Sequence, residues 1–189
     1  NVQFAVGSYS VSENGGNLIV SVTRNGGNSG AATIAYATAG GTAIAGQDFT
    51  ATTGTLSWAD GDSATKTFSI PLLNDGLYET NEAFSIALSN PTGGVALGSP
   101  ATANVTLTSD DAQPTISFTA ASVQVAEAIG QAIVTVIRGG NSAGAVSVNY
   151  AAVAGTAGAS DFTPTSGTLS FADGEAEKTF SVAITNDTL

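Results

Sequence analysis

The sequence predicts an all-β protein built as two tandem antiparallel β-sandwiches, the second incomplete. Three observations carry this reading. The chain repeats itself at a nearly constant spacing, its apolar residues alternate with polar ones at period two, and glycine- and asparagine-rich clusters punctuate the alternating runs.

The repeat is the strongest of the three. Val20, Val22 and Arg24 recur as Val134, Val136 and Arg138, Ile34 and Tyr36 as Val148 and Tyr150, and Gly41-Thr42-Ala43 as Gly155-Thr156-Ala157, all at a spacing of 114. Asp48-Phe49 matches Asp161-Phe162 and Gly54-Thr55-Leu56-Ser57 matches Gly167-Thr168-Leu169-Ser170 at 113, and Lys66-Thr67-Phe68-Ser69 matches Lys178-Thr179-Phe180-Ser181 at 112. Single-residue deletions in two loops explain the drift. The first module is read as residues 1–111, a short linker as 112–114, and the second module as 115–189, which breaks off before its repeat is complete.

Taken in order, the alternating apolar residues are Leu18, Val20, Val22, then Ala32, Ile34, Tyr36, then Phe68, Ile70, Leu72, then Phe84, Ile86, Leu88. Period-two alternation in Val, Ile, Thr and Phe belongs to strands with one buried face. Between the runs stand Asn14-Gly15-Gly16, Asn25-Gly26-Gly27-Asn28, Asp60-Gly61 and Asn90-Pro91-Thr92-Gly93-Gly94, residues that accept tight-turn conformations cheaply. About seven short strands in about 110 residues is the pattern of an immunoglobulin- or fibronectin-like sandwich. Trp58, whose counterpart is Phe171, is read as a core aromatic.

Composition narrows the function. Of 189 residues 42% are apolar, enough for a core, and 15 acidic residues stand against 4 basic ones for a net charge of -11 and a pI near 4.1. Such a surface repels phosphate backbones and anionic lipid, so nucleic acid is excluded as a partner and cations are favoured. The chain has no Cys, Met or His, which removes thiol chemistry, the usual structural zinc site and the commonest proton-transfer side chain; no enzymatic activity is expected. No apolar run approaches the roughly 18 residues of a membrane span, so no membrane insertion is expected, and with no leader at Asn1 the chain reads as a processed or excised piece.

The acidic residues sort into two sets. Asp60, Asp62, Asp173, Glu175 and Glu177 fall in and after hairpin turns, where turn formation and solubility account for them. The other ten are Glu13, Asp48, Asp75, Glu79, Glu82, Asp110 and Asp111 in the first module and Glu127, Asp161 and Asp187 in the second, the last three repeating Glu13, Asp48 and Asp75. Acids that recur in register while loop residues drift suggest a shared demand for negative charge. Turn capping is the competing explanation for Glu13 and Asp48 taken alone.

These acids lie in segments that resemble the Calx-beta family, found in sodium-calcium exchangers and in large bacterial surface proteins. The segments are Ser12-Glu13-Asn14-Gly15-Gly16, Gly41-Thr42-Ala43 to Asp48-Phe49, Gly54-Thr55-Leu56, Asn74-Asp75-Gly76-Leu77-Tyr78-Glu79-Thr80-Asn81-Glu82-Ala83-Phe84, and Asp110-Asp111. The resemblance covers the first module and all that is present of the second. It implies a calcium site in which Glu13, Asp48, Asp75, Glu79, Glu82, Asp110 and Asp111 converge from separate loops at one end of the sandwich, and a weaker, incomplete set in Glu127, Asp161 and Asp187. Calcium takes about six to eight oxygen ligands, so seven carboxylates with some carbonyls would serve two or more ions.

The expected role is a calcium-binding structural or adhesive repeat of a large extracellular or cell-surface protein or filament, with calcium stiffening the junction next to Asp110 and Asp111. Its expected partners are calcium and neighbouring repeats or copies of itself, with strand complementation as one route. The alternative is a calcium-sensing regulatory domain acting on an attached domain. A carbohydrate-active domain is a further alternative, since two carboxylates suffice for glycoside hydrolysis, although no aromatic-lined sugar cleft is evident. Neither the EF-hand loop nor a phosphate-cradling glycine loop occurs.

Overall fold

The computed structural model describes residues 1–187. The chain divides into two compact units, Asn1–Asp75 with Glu79–Asp110, and Gly76–Tyr78 with Asp111–Leu189.

The first unit contains β1 (Val2–Phe4), β2 (Ser8–Ser12), β3 (Asn17–Arg24), β4 (Ala32–Ala39), β5 (Thr53–Trp58), β6 (Lys66–Pro71), β7 (Glu82–Ser89) and β8 (Thr102–Thr108). They form a three-stranded sheet, β1-β3-β6, and a five-stranded sheet, β2-β8-β7-β4-β5. The alternation seen in the sequence is the alternation of burial: in β3, Leu18, Val20 and Val22 are buried while Ile19 faces out. Inward residues of both sheets, such as Phe4, Ile34, Trp58, Ile70 and Val105, make one core with Phe49 of the β4–β5 loop. Trp58 is buried among them and its Nε1–H donates to the Ala64 carbonyl at 2.7 Å, which satisfies the indole's polar atom and confirms the tryptophan as a core residue.

One pair departs from the antiparallel pattern: β2 runs parallel to β8, in register from Ser8↔Asn104 to Ser12↔Thr108. The chain pairs first with β3 of one sheet, through Val2↔Arg24 to Phe4↔Val22, and then crosses at Ala5–Gly7 to the edge of the other. The crossing makes β1 an edge strand of one sheet, antiparallel to β3, and β2 an edge strand of the other, parallel to β8.

The repeated arginine ends β3 as a buried clamp. Arg24 donates to the carbonyls of Asp62, Ser29 and Gly30 at 3.2, 2.9 and 2.9 Å, and Arg138 likewise to those of Gly144 and Ala143 at 2.7 and 2.5 Å. The planar guanidinium thus fixes the β3–β4 turn of each copy.

The second unit contains β9 (Thr115–Phe118), β10 (Gln131–Gly139), β11 (Val146–Ala152), β12 (Thr165–Phe171) and β13 (Glu177–Ala183), arranged as β13-β10-β9 and β11-β12. Its core is built on Val136, Leu169 and Phe171, with Phe171 buried as the counterpart of Trp58.

Candidate metal centre

Strand register decides which loops share an end of the first unit. The start of β3 faces the end of β6 (Asn17↔Pro71), the end of β4 faces the start of β7 (Ala39↔Ser85), and the start of β7 faces the end of β8 (Glu82↔Leu107). Because β2 is parallel to β8, the two finish together. The 3-10 turn Glu13–Gly15, the β4–β5 loop, the β6–β7 loop and the residues after β8 therefore gather at one end, and these are the segments that carry the acidic residues.

The repeated Gly41-Thr42-Ala43 sets the β4–β5 loop in place. A side chain at Gly41 would lie 2.4 Å from the Ala83 carbonyl oxygen, so only glycine permits the approach to β7. Ala43 N then donates to Ala83 O at 3.0 Å, and Ala83 N to the Thr42 hydroxyl at 2.8 Å. Phe49, buried, stacks on Phe84 with centroids 4.0 Å apart and bridges to Leu72. Asp48 is thereby delivered beside the start of β7, where Glu82 stands.

Two groups of three carboxylates result. Glu13, Asp110 and Asp111 offer oxygens within 4.8 Å of one another, and so do Asp48, Glu79 and Glu82. In the first, Glu13 is buried, its Oε1 accepts from Asp110 N at 3.3 Å, and Asp110 Oδ2 accepts from Asn14 Nδ2 at 2.5 Å. In the second, Asp48 is 9% exposed, and its Oδ2 accepts from Ile44 N at 2.5 Å. The Glu82 carboxyl is pushed up to about 7 by burial first, then by its hydrogen bond to Asp48 and the charges of Asp48, Glu79 and Glu13. Glu13 belongs to one group and Glu82 to the other, so the two share one electrostatic environment.

The remaining sequence-derived residues lie outside these groups. Asp75 is exposed in the β6–β7 loop. Among the described residues, Glu127, Asp161 and Asp187 form no three-carboxylate group. Asp161 nevertheless accepts from Gly158 N at 2.7 Å, and Thr185 N donates to its carbonyl at 2.8 Å, as Leu73 N does to Asp48 O at 3.0 Å. Recurrence of this aspartate is thus explained by loop capping in both copies, and in the first the capped residue also faces two more acids. The sequence offers no direct sign of Asn14 as a partner of Asp110.

Among the described residues, the hydrogen bonds and ion pairs of the basic side chains run to partners outside these groups. The chain has four Lys and Arg in all. Arg24 and Arg138 are spent on turn carbonyls, Lys66 pairs with Asp62 at 2.7 Å, and Lys178 pairs with Glu175 at 2.5 Å. Asp60 and Asp173 accept from the backbone of Gly30 and Gly144, in keeping with their reading as turn formers. An all-oxygen, carboxylate-rich donor set without His or Cys fits a hard cation such as calcium and does not fit zinc.

Comparison with known proteins places the chain. The Calx-beta domain profile matches residues 1–111 and again 109–189. The sodium/calcium exchanger Calx of Drosophila melanogaster is 36% identical over 176 residues, covering 93% of this chain and 18% of the exchanger. Sodium/calcium exchanger 1 of Canis lupus familiaris is 33% identical over 204 residues, covering 97% and 21%. The chain thus spans about a fifth of the length of these relatives. Among solved structures, the calcium binding domain CBD12 of CALX1.1 matches at 34% identity and a TM-score of 0.58, covering 99% of this chain and 76% of that one. The apo-form Calx CBD1 domain matches at 39% identity and a TM-score of 0.56, covering 58% of this chain and 98% of that one. No helix among the described residues is long and apolar enough to cross a membrane. With a tandem match that covers the whole sequence and relatives more than 30% identical over almost all of it, the chain belongs to the Calx-beta domain family.

Proposed function

We propose that this chain is a calcium-sensing regulatory module whose first Calx-beta domain binds the ion, and that it acts on the protein to which it is attached without catalysing a reaction. The observation that carries the proposal is the presence of two three-carboxylate groups, Glu13, Asp110 and Asp111, and Asp48, Glu79 and Glu82, each with oxygens within 4.8 Å of one another. Glu13, Asp110 and Asp111 would hold calcium in one group and Asp48, Glu79 and Glu82 in the other, with Asp75 a further oxygen donor in the loop that carries Glu79. Glu127, Asp161 and Asp187 are proposed as the weaker, incomplete set of the second domain. The proposed domains are 1–111 and 115–189, joined by 112–114; the family matches over 1–111 and 109–189 support two modules.

The relatives weigh on the choice between sensing and stiffening. They are sodium/calcium exchangers and domains described as calcium binding, which supports the regulatory reading over an extracellular or adhesive one. Adhesion, filament formation, a bacterial source and a cell-surface location draw no support from these relatives.

Thermal unfolding of the chelated chain, repeated with about 1 mM calcium and with magnesium as control, tests binding. A site with a dissociation constant near 10 µM would gain roughly 2.7 kcal/mol at a hundredfold excess. Calcium titration followed by NMR of residues 40–52 and 72–81 then separates the two roles. A sensor passes between two ordered states over a micromolar range, whereas a stiffener only loses order when chelated. Absence of any calcium-specific shift would defeat the proposal.

A further inference from the structure

The ladder between β4 and β7 ends at Ala39↔Ser85, and β7 extends beyond it through Ala83 to Glu82. There the β4 side turns out of the sheet at Gly41, whose N–H donates to the Ala43 carbonyl at 3.2 Å. Thr42 and Ala43 take the place of the missing strand. The Thr42 hydroxyl accepts from Ala83 N at 2.8 Å, and Ala43 N donates to Ala83 O at 3.0 Å, so the β4–β5 loop holds both backbone groups of the residue beside Glu82. The next residue, Ile44, donates its N–H to Asp48 Oδ2 at 2.5 Å. One series of contacts thus runs from Glu82 through Ala83, Thr42, Ala43 and Ile44 to Asp48, and the two carboxylates it joins offer oxygens within 4.8 Å of each other. Of its hydrogen bonds, the one to Thr42 is made by a neutral side chain, and a substitution can remove it without altering a charge.

We propose that Thr42 is a positioning residue for calcium: its hydroxyl holds the β4–β5 loop against β7 and so preorganises Asp48 beside Glu82. This rests on the calcium-binding reading above. The stack of Phe49 on Phe84 anchors the loop after Asp48 and the Thr42 bond anchors it before, which fixes the aspartate between them. A site whose competent arrangement is only partly populated binds with an affinity reduced by that fraction. Thr42 and Ala83 are both exposed, so water satisfies the Ala83 N–H once the hydroxyl is gone, and the cost to folding is small. Water does not restore the link to the loop. The hydroxyl therefore supplies position more than stability, as groups behind the direct ligands of a metal commonly do.

Calorimetric calcium titration of the whole chain compares wild type with Thr42→Val, which keeps the shape and loses the hydroxyl, and with Thr42→Ser, which restores it. Thr42→Val is expected to weaken calcium binding roughly three- to tenfold, the net worth of one hydrogen bond, and Thr42→Ser to bind within about twofold of wild type. Amide hydrogen exchange at Ala43 in chelator should quicken in Thr42→Val and return toward wild type in Thr42→Ser. Thr92→Val is the matched control. Its hydroxyl accepts from Thr33 N at 3.2 Å beside the start of β4, the end remote from Glu82, and its loss should leave calcium affinity unchanged. A merely structural role would lower the thermal midpoint of Thr42→Val and leave its calcium affinity at the wild-type value. That result, or a fall in affinity that Thr42→Ser does not reverse or Thr92→Val shares, overturns the inference while calcium binding by wild type stands. Failure of wild type itself to bind calcium would overturn the functional reading instead.

Discussion

Asp48→Asn separates the two roles that one carboxylate plays. Asp48 is 9% exposed, and its Oδ2 accepts from Ile44 N at 2.5 Å, a bond that the amide oxygen of asparagine would keep. What the substitution removes is the charge, which lies within 4.8 Å of oxygens of Glu79 and Glu82. Two unit charges at that distance repel by about 3.5 kcal/mol at an effective dielectric near 20 and by under 1 kcal/mol in bulk water. Glu79 and Glu82 are half-buried, so a relief of about 1–2 kcal/mol is expected at pH 8, where Glu82 is ionised. For a unit of about one hundred residues that is a rise of roughly 4–8 °C or more in the metal-free midpoint. Calcium affinity should fall at least about tenfold, because a hard cation loses a charged ligand. Scanning calorimetry in chelator and isothermal titration with calcium measure the two effects. Asp161→Asn is the internal control, since Asp161 makes the same cap to Gly158 N at 2.7 Å without a three-carboxylate group, and it should not stabilise. If Asp48→Asn lowers the metal-free midpoint and leaves the calcium response intact, Asp48 is only a loop cap and the reasoning is refuted.

The metal-free chain should also respond to pH in a direction fixed by Glu82. Its folded pKa of about 7 stands above the ordinary 4.5, so between those values the folded state holds more protons than the unfolded one. Stability in chelator should therefore fall as pH rises from about 4.5 to about 7, and calcium affinity should climb over the same window as the competing proton leaves. A flat or rising chelated midpoint over that window contradicts it. Away from the site, Gly54→Ala would put a methyl group 2.4 Å from the Tyr36 hydroxyl and 2.6 Å from its ring, forcing the tyrosine off its 3.8 Å stack on Phe68. A loss of about 1–3 kcal/mol in urea denaturation with no change in the calcium increment is expected, and a neutral result would show that Tyr36 repacks freely.

What could be read from the sequence follows from what is local. Period-two burial in β3 and the core position of Trp58 are set by neighbouring residues and were legible. The parallel pairing of β2 with β8 was not, because it depends on the chain changing sheets at Ala5–Gly7, a tertiary event without a periodic signature. The repeat of Val20, Val22 and Arg24 was visible, but the role of Arg24 as a clamp needed the carbonyls of Ser29, Gly30 and Asp62 in space. The same division runs through the site. Acids could be sorted by their loops, whereas their distribution into two groups, the exposed position of Asp75 and the contact of Asn14 with Asp110, 96 residues away, follow from strand register.

The placement of the basic side chains of the first unit bears on the proposed calcium site. Arg24 ends β3 and Lys66 begins β6, so both lie at the pole of the first unit opposite Glu13, at the far end of an eight-residue strand. At about 3.3 Å per residue that is roughly 25 Å, well beyond the screening length of about 8 Å at physiological ionic strength. Neither side chain can therefore offset the repulsion among the clustered carboxylates. In most acidic surfaces neighbouring lysines and arginines perform that task, and the surface becomes a network of ion pairs with little need for metal. Here the turns of the opposite pole use all the basic side chains of the unit, with Lys66 held by Asp62 and Arg24 by turn carbonyls. On the proposed reading, this separation would let the conformation of the acidic loops answer to the concentration of a free divalent cation, which is the property a sensor requires.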